Sequence, residues 1–234
     1  MVERRGGRGD FTGVAEALRG CELFRGLEAG GAEKTLGCLG GRVVSRGRGA
    51  ALFVEGSRAD RFGIVLSGSL VVAKDDADGR RAILKRIGER ELVGAAQAFS
   101  GARTMNVRVE ADTPSRILLL DAERVGSPCC HACPVHVGIV RNLVRILAAK
   151  TLELNAKIGI LSRRTTEDRL LAFLRSFAEK CGRREFDIPF DRQQLADFLC
   201  VERSALSAVI GRLSRKGVLS SRKRHFVLNP EAPA

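Results

Sequence analysis

Two groups of side chains in this 234-residue chain have the types and spacing to do chemistry. The first is a run of thiols and imidazoles, Cys129, Cys130, His131, Cys133 and His136. The spacing Cys130-x-x-Cys133-x-x-His136 suits a soft metal, with Cys129 available as a fourth, tetrahedral ligand. If a helix begins at Pro134, Cys133 stands at its N-cap, where the helix dipole favours the thiolate. Several readings stay open here. They are a metal site on Cys129, Cys130, Cys133 and His136, an iron–sulfur cluster, a Cys130/Cys133 dithiol redox switch, a haem ligand from His131 or His136, and a loop of small thiols without a cofactor.

The second group lies near the C-terminus, in FDRQQLADFLCVERSALSAVIGRLSRKGVLSSRKRHFVLN at 190–229. Arg203, Ser204 and Ser207 fall on one face at the start of an expected helix. Arg203 has the paired N–H groups to grip a guanine edge, and the serines can bond a base or a phosphate. Arg192, Gln193, Arg212 and the close-set Arg222, Lys223 and Arg224 are placed for phosphates, which supply affinity without sequence information.

These side chains need elements to hold them. Asp191 followed by Gln194 is a capping-box start for a helix to about Phe198. Leu199-Cys200-Val201 then fits a tight turn, with Cys200 where Gly is usual. A second helix from about Glu202 to Lys216 carries Leu206, Ile210 and Leu213 on its buried face and stops at Gly217. VLSSRKRHFVL reads as a hairpin wing. Together these make a helix-turn-helix whose second helix offers its N-terminal end to the major groove of duplex DNA.

Upstream, residues 14–40 read as helical before the break at Gly40-Gly41. From 41 to about 125, short β-rich runs such as RFGIVLSGSLVVAK and RILLLD alternate with Gly, Asp and Pro turns. The stretch 75–79 is a hairpin signal. Such repetition predicts a small antiparallel barrel or roll. Pro134 opens a long helix to about Ser162. Val140, Leu147, Leu154 and Leu161 recur every seven residues, with Leu143, Thr151 and Ile158 beside them, the pattern of a helix that pairs with its own copy. Ile139 and Ile146 form a second strip for the roll itself. Thr165, with Asp168 three residues on, caps a further helix with Leu170, Leu171, Leu174 and Phe177 on its apolar face, closed by Gly182. The expected fold class is α+β. A disordered arm at 1–13 precedes an antiparallel β-roll (a jelly-roll-like double-stranded β-helix) at 14–133. A dimerisation helix at 134–162 and a winged helix-turn-helix at 163–234 follow.

Bulk composition agrees. The formal net charge is +13, and residues 163–234 hold 15 basic against 9 acidic side chains. Such an excess favours a polyanionic partner. With no Trp or Tyr and 11 Phe, the stacking platforms of single-strand binders are poorly supplied, which favours duplex. No apolar run approaches the ~20 residues that span a bilayer, and the N-terminus lacks a signal-peptide core. Seven Cys without regular disulfide spacing fit a reducing cytoplasm, with Cys181 and Cys200 expected in the core. With three His in all, no constellation of nucleophile, base and orienting group points to an enzyme.

The order of LFRGL at 23–27, LFVEGSRADRFGIVLSGSLVV at 52–72, the long helix and FDRQQLADFLCVERSALSAVIGRL at 190–213 resembles the CRP/FNR family of bacterial regulators. The resemblance spans nearly the whole chain. It implies a cyclic-nucleotide-binding-like roll, a two-fold homodimer, a pseudo-palindromic operator and, for an activator, contact with RNA polymerase. It also implies base reading at Arg203, while Ser204 and Ala208 replace the Glu and second Arg common in the family. The nucleotide cassette departs further. Gly94 is followed by Ala95, and Met105 stands at the position of the phosphate-binding Arg. A buried phosphate without its cation is costly, so cyclic AMP is not the expected effector. The tight N-terminal Cys cluster of the family's iron–sulfur sensors is not reproduced by Cys21 and Cys38.

Overall fold

The apolar runs of the first half of the chain become strands that are covered on one or both faces. The structure, a computed structural model, describes residues 11, 13–27, 35–75, 81–102, 104–127 and 134–229. It divides into two compact units, residues 1–148 and 149–234.

In the first unit, eight strands form two antiparallel sheets: β1 (Arg42–Arg46), β2 (Ala51–Phe53), β3 (Arg61–Ser67), β4 (Leu70–Asp75), β5 (Arg81–Ile87), β6 (Leu92–Val93), β7 (Arg108–Ala111) and β8 (Ser115–Asp121). The sheet orders are β1-β8-β3-β6 and β2-β7-β4-β5. Their inner faces supply Val65, Leu70, Val93, Val109 and Ile117 to a common interior, which Met105 joins from the segment before β7. This is the expected roll. The alternate side chains of β3 and β8, Phe62, Ile64, Leu66, Leu118 and Leu120, point the other way into a second core. Burial on both faces explains why RFGIVLS and RILLLD are almost unbroken apolar runs. The hairpin expected at 75–79 is present as β4–β5 pairing, Asp75 opposite Arg81, although its turn lies outside the described residues. Gly68, at φ +86° between β3 and β4, has no room for a side chain, since a Cβ there would lie 2.4 Å from the Pro114 carbonyl oxygen.

The second core is roofed by helices. The segment expected to be helical over 14–40 is a broken series: α1 (Val14–Ala17), a 3-10 turn at Glu22–Phe24 and a helical turn at 35–38. Short helices α2 (Ala95–Phe99) and α3 (Ala122–Gly126) flank the sheet. The long helix α4 (Pro134–Leu161) starts and ends within a residue of expectation. Its first half lays Ile139 and Leu143 into this core beside Val14, Leu18, Leu23 and Phe24. Leu143 was expected on the self-pairing stripe. It is 4% exposed and belongs to the roll's strip with Ile139, while Val144, beside it, is 60% exposed. Asn142 Nδ2 donates to the carbonyls of Leu23 (3.1 Å) and Arg25 (2.9 Å), fastening the 3-10 turn to the helix.

In the second unit, α5 (Thr166–Cys181) is capped by Thr165, whose Oγ1 accepts from the Asp168 backbone N–H at 3.1 Å, and ends at Gly182 with φ +65°. Helices α6 (Arg192–Leu199) and α7 (Arg203–Arg215) follow, and strands β9 (Glu185–Asp187), β10 (Leu219–Arg222) and β11 (His225–Leu228) make a sheet in the order β10-β11-β9. The aromatic content of this core is phenylalanine alone: Phe173, Phe177, Phe186, Phe190 and Phe198 pack with neighbouring centroids 5.0 to 6.0 Å apart. Ile160 and Lys157, from the end of α4, join this unit, the Lys157 ammonium lying 4.8 Å from the Phe198 ring centre. Among the described residues no helix is long and apolar enough to cross a membrane.

Candidate nucleic-acid interface

The Asp191–Gln194 capping box forms as the residues dictate. The Gln194 N–H donates to Asp191 Oδ1 and the Asp191 N–H to Gln194 Oε1, each at 2.9 Å. Leu195, Ala196 and Leu199 of α6 bury against Leu206, Val209 and Ile210 of α7, and the small Ala196 lets the two helices cross. Between them Cys200 adopts φ +53°, the left-handed conformation that glycine takes freely and other L-residues rarely adopt. The turn is held from outside. Arg169, on α5, donates from Nη1 to the carbonyls of Leu199 and Cys200 at 3.2 Å and from Nε to Arg163 at 2.9 Å. Nothing in the local sequence distinguishes Arg169 from its neighbours, and its partners lie 30 and 31 residues away.

Arg203 is the first residue of α7, and Arg203, Ser204, Ser207 and Ala208 are all exposed. Glu202 at the N-cap makes no side-chain cap, which leaves the first N–H groups of α7 without that partner. Arg192 is better built than a surface cation. Its guanidinium lies 5.7 Å from the centre of the Phe226 ring, and Nη1 is buried without a hydrogen-bond partner among the described residues. Burial, and then the neighbouring Arg203 charge, pull its pKa below the ordinary arginine value. Among the described residues no carboxylate is bonded to this like-charged pair at the mouth of the helix-turn-helix.

The remaining expected contacts divide. Arg222, Lys223 and Arg224 are exposed at the tip of the β10–β11 hairpin, with Lys223 at φ +57°. A lysine holding a position that favours Gly or Asn keeps a cation at the tip at some conformational cost. Behind them His225 bridges two acids of β9, Nε2 to Glu185 Oε1 and Nδ1 to Asp187 Oδ1, both at 3.2 Å. Gln193 is exposed and donates to Asp197 at 2.8 Å within its own helix. Arg212 differs from expectation. Its Nη2 is 2.6 Å from Glu167 Oε2, so its charge already has a partner on α5.

The thiols divide as well. Cys181 and Cys200, expected in the core, are exposed, as is Cys38. Cys200 is exposed because it forms the turn, and Cys181 because it ends a helix. Cys21 is buried with Sγ 3.4 Å from the Arg90 carbonyl, and burial raises its pKa. Cys129, Cys130, His131 and Cys133 lie outside the described residues. His136 is buried on the first turn of α4, with Nε2 2.9 Å from the Val125 carbonyl oxygen and Nδ1 without a partner among the described residues. Among the described residues no three metal-ligating side chains converge.

Met105, standing where the family resemblance puts the phosphate-binding Arg, is 1% exposed in the roll interior. Phe53 and Met105 close on Gly94, where a Cβ would meet them at 3.0 and 3.3 Å. Arg103, the cation two residues from Met105 that could stand in for the missing Arg, lies outside the described residues.

Two family models match the chain, a cyclic nucleotide-binding domain over residues 43–127 and a Crp-like helix-turn-helix domain over 168–232. Among solved structures, the c-di-GMP-responsive global regulator CLP of Xanthomonas campestris is 22% identical, over 86% of this chain and 99% of CLP, with a TM-score of 0.55. The catabolite activator protein of Thermus thermophilus is 21% identical over 90% of this chain and 94% of its own, with a TM-score of 0.51. At these identities the likeness concerns the fold. No curated protein sequence matches the chain.

Proposed function

The chain belongs to the CRP/FNR family of DNA-binding transcription regulators, which are not enzymes, and from that premise we propose that it acts as a homodimer on a two-fold operator under a signal other than cyclic AMP. The observation that carries the DNA-contact reading is the Arg192–Arg203 pair. Arg203, at the open start of α7, reads a base edge, and Arg192, wedged on Phe226, takes the adjoining phosphate. Ser204, Ser207 and Gln193 add short polar contacts, and Arg222, Lys223 and Arg224 engage the backbone beside them. Arg212, paired with Glu167, contributes least.

Pairing of two copies is supported by the exposed side of α4. Val137, Val144, Thr151 and Ile158 repeat every seven residues, and Val140, Leu147, Leu154 and Leu161 repeat three residues later. Val137, Val144, Leu154 and Ile158 are all more than half exposed. β-Branched residues at the first position with mainly leucine at the second favour a parallel two-stranded pair. Two such reading helices would meet half-sites about 34–36 Å apart. The packing of Met105 and Phe53 against Gly94 supports a signal other than a cyclic nucleotide. A reducing cytoplasm suits the free thiols Cys38, Cys181 and Cys200.

The test is selection of bound sites from random duplex DNA, followed by titration at rising salt. The expected result is a two-fold site and affinity that falls steeply with salt. Binding that is absent or insensitive to salt under both reduced and oxidised conditions overturns the reading and favours an effector or redox module without DNA binding.

A further inference from the structure

Arg169 directs its guanidinium at three main-chain carbonyls. Nε donates to that of Arg163 at 2.9 Å, and Nη1 donates to those of Leu199 and Cys200, each at 3.2 Å. Its own backbone N–H is bonded to the Thr165 carbonyl at 3.0 Å, in the capped first turn of α5, so the side chain projects from a fixed base. One planar fork therefore joins three places: the chain just beyond α4, the last residue of α6 and the turn before α7.

The end of α6 needs such a donor, because the last carbonyls of a helix have no partner within it. Those of Ala196 and Asp197 accept from the N–H groups of Val201 (3.0 Å) and Cys200 (3.2 Å) as the chain turns. Those of Leu199 and Cys200 accept from Arg169, and a cation at this end also suits the helix dipole. The sequence resists this turn, since Cys200 sits at φ +53°, where a side chain is disfavoured. Glu202 makes no side-chain cap, so the direction in which α7 leaves is set by the turn and by the burial of Leu206. Arg203 stands three residues beyond Cys200.

We propose that Arg169 is a positioning residue for sequence reading. By holding the Cys200 turn left-handed it fixes where Arg203 and Ser204 are presented, without touching DNA itself. Two of its three guanidinium nitrogens are already engaged on the backbone. When the fork is lost, the turn relaxes. Base contacts, which depend on exact placement, then suffer more than phosphate contacts, which tolerate displacement. This role rests on the regulator reading above.

The experiment uses the full chain and the operator selected from random duplex DNA, with a scrambled duplex of equal length beside it. Arg169→Gln should bind the operator at least roughly tenfold more weakly, and the scrambled duplex less than about threefold more weakly. The slope of log affinity against log salt should not change, whereas a lost phosphate contact would lower it by about one. In a Cys200→Gly background the turn takes its conformation freely, so the same substitution should weaken operator binding only about threefold or less. Arg169→Lys keeps the charge without the fork and should lose discrimination likewise. It carries the test in both backgrounds if circular dichroism shows Arg169→Gln to be unfolded. Equal losses on the two duplexes, a reduced salt slope, an undiminished loss in the Cys200→Gly background, or full operator affinity in Arg169→Lys overturns the proposal. A native chain that binds no duplex defeats the regulator reading and this role with it. A native chain that discriminates, with Arg169 variants that discriminate equally well, defeats this role alone.

Discussion

The two halves of helix α4 face opposite demands. Ile139 and Leu143, in the first half, are buried by the chain's own roll, and Asn142 is bonded to the turn before it. In the second half Leu152, Leu154 and Ile158 are between 61% and 70% exposed. The first half has found its partner inside the chain. The second keeps apolar groups in water that ordinary folding would have covered, which points to a partner outside it. The arginines of the C-terminal unit repeat the contrast. Arg212 is paired with Glu167, while Arg192 and Arg203 share a corner with no carboxylate bonded to them among the described residues.

The hardest test of this contrast is the double substitution Leu154→Glu and Ile158→Glu. It should raise the dimer dissociation constant by on the order of a thousandfold, about 4 kcal/mol, with little change in the fold of each chain. Sedimentation equilibrium and circular dichroism together read this out. If the double variant stays dimeric, the uncovered half is not the pairing surface. Next in size is Leu143→Ala in the covered half, which should destabilise the first unit by about 2–4 kcal/mol and leave self-association nearly unchanged. Denaturant melts measure the first effect. A large shift in the dimer equilibrium would instead return Leu143 to the pairing stripe.

The arginine contrast predicts a smaller effect. Arg203→Ala should weaken binding to the selected operator by roughly 10- to 100-fold and relax its sequence preference, whereas Arg212→Ala should weaken it only a few-fold. Anisotropy titrations with matched and mismatched duplexes decide it, and equal losses would erase the distinction. The smallest effect is at the turn. Cys200→Gly relieves the left-handed backbone at the cost of a looser unfolded chain, so a net gain of about 0.5–1 kcal/mol is expected in the thermal melt. A loss there would mean that the Cys200 side chain makes a contribution its exposure does not reveal.

Local rules carried the reading where the partners are local. The caps at Thr165 and Asp191, the stop at Gly182 and the extent of α4 each depend on residues within four positions, and each appears in the structure. The roll was legible because its turns are regular and its strands apolar. What escaped was set at long range. Two apolar strips were visible on α4, but only the folded roll determines that Leu143 belongs with Ile139 and that Val144 faces outward. The Arg212–Glu167 pair spans 45 residues, and the packing of Arg192 on Phe226 requires the wing to fold back on α6. Cysteine is equally at home in a core or at an exposed helix end, so Cys181 and Cys200 gave no local clue to their exposure.

The all-phenylalanine core also makes the protein spectroscopically quiet. With neither indole nor phenol in the chain, it is nearly transparent in the near ultraviolet and has almost no emission of its own. A Phe198→Trp replacement would install a sole fluorophore beside Lys157 of the long helix and Phe190, and its colour would report how tightly that helix end grips the C-terminal core. Binding of duplex could then be followed as light from one known place.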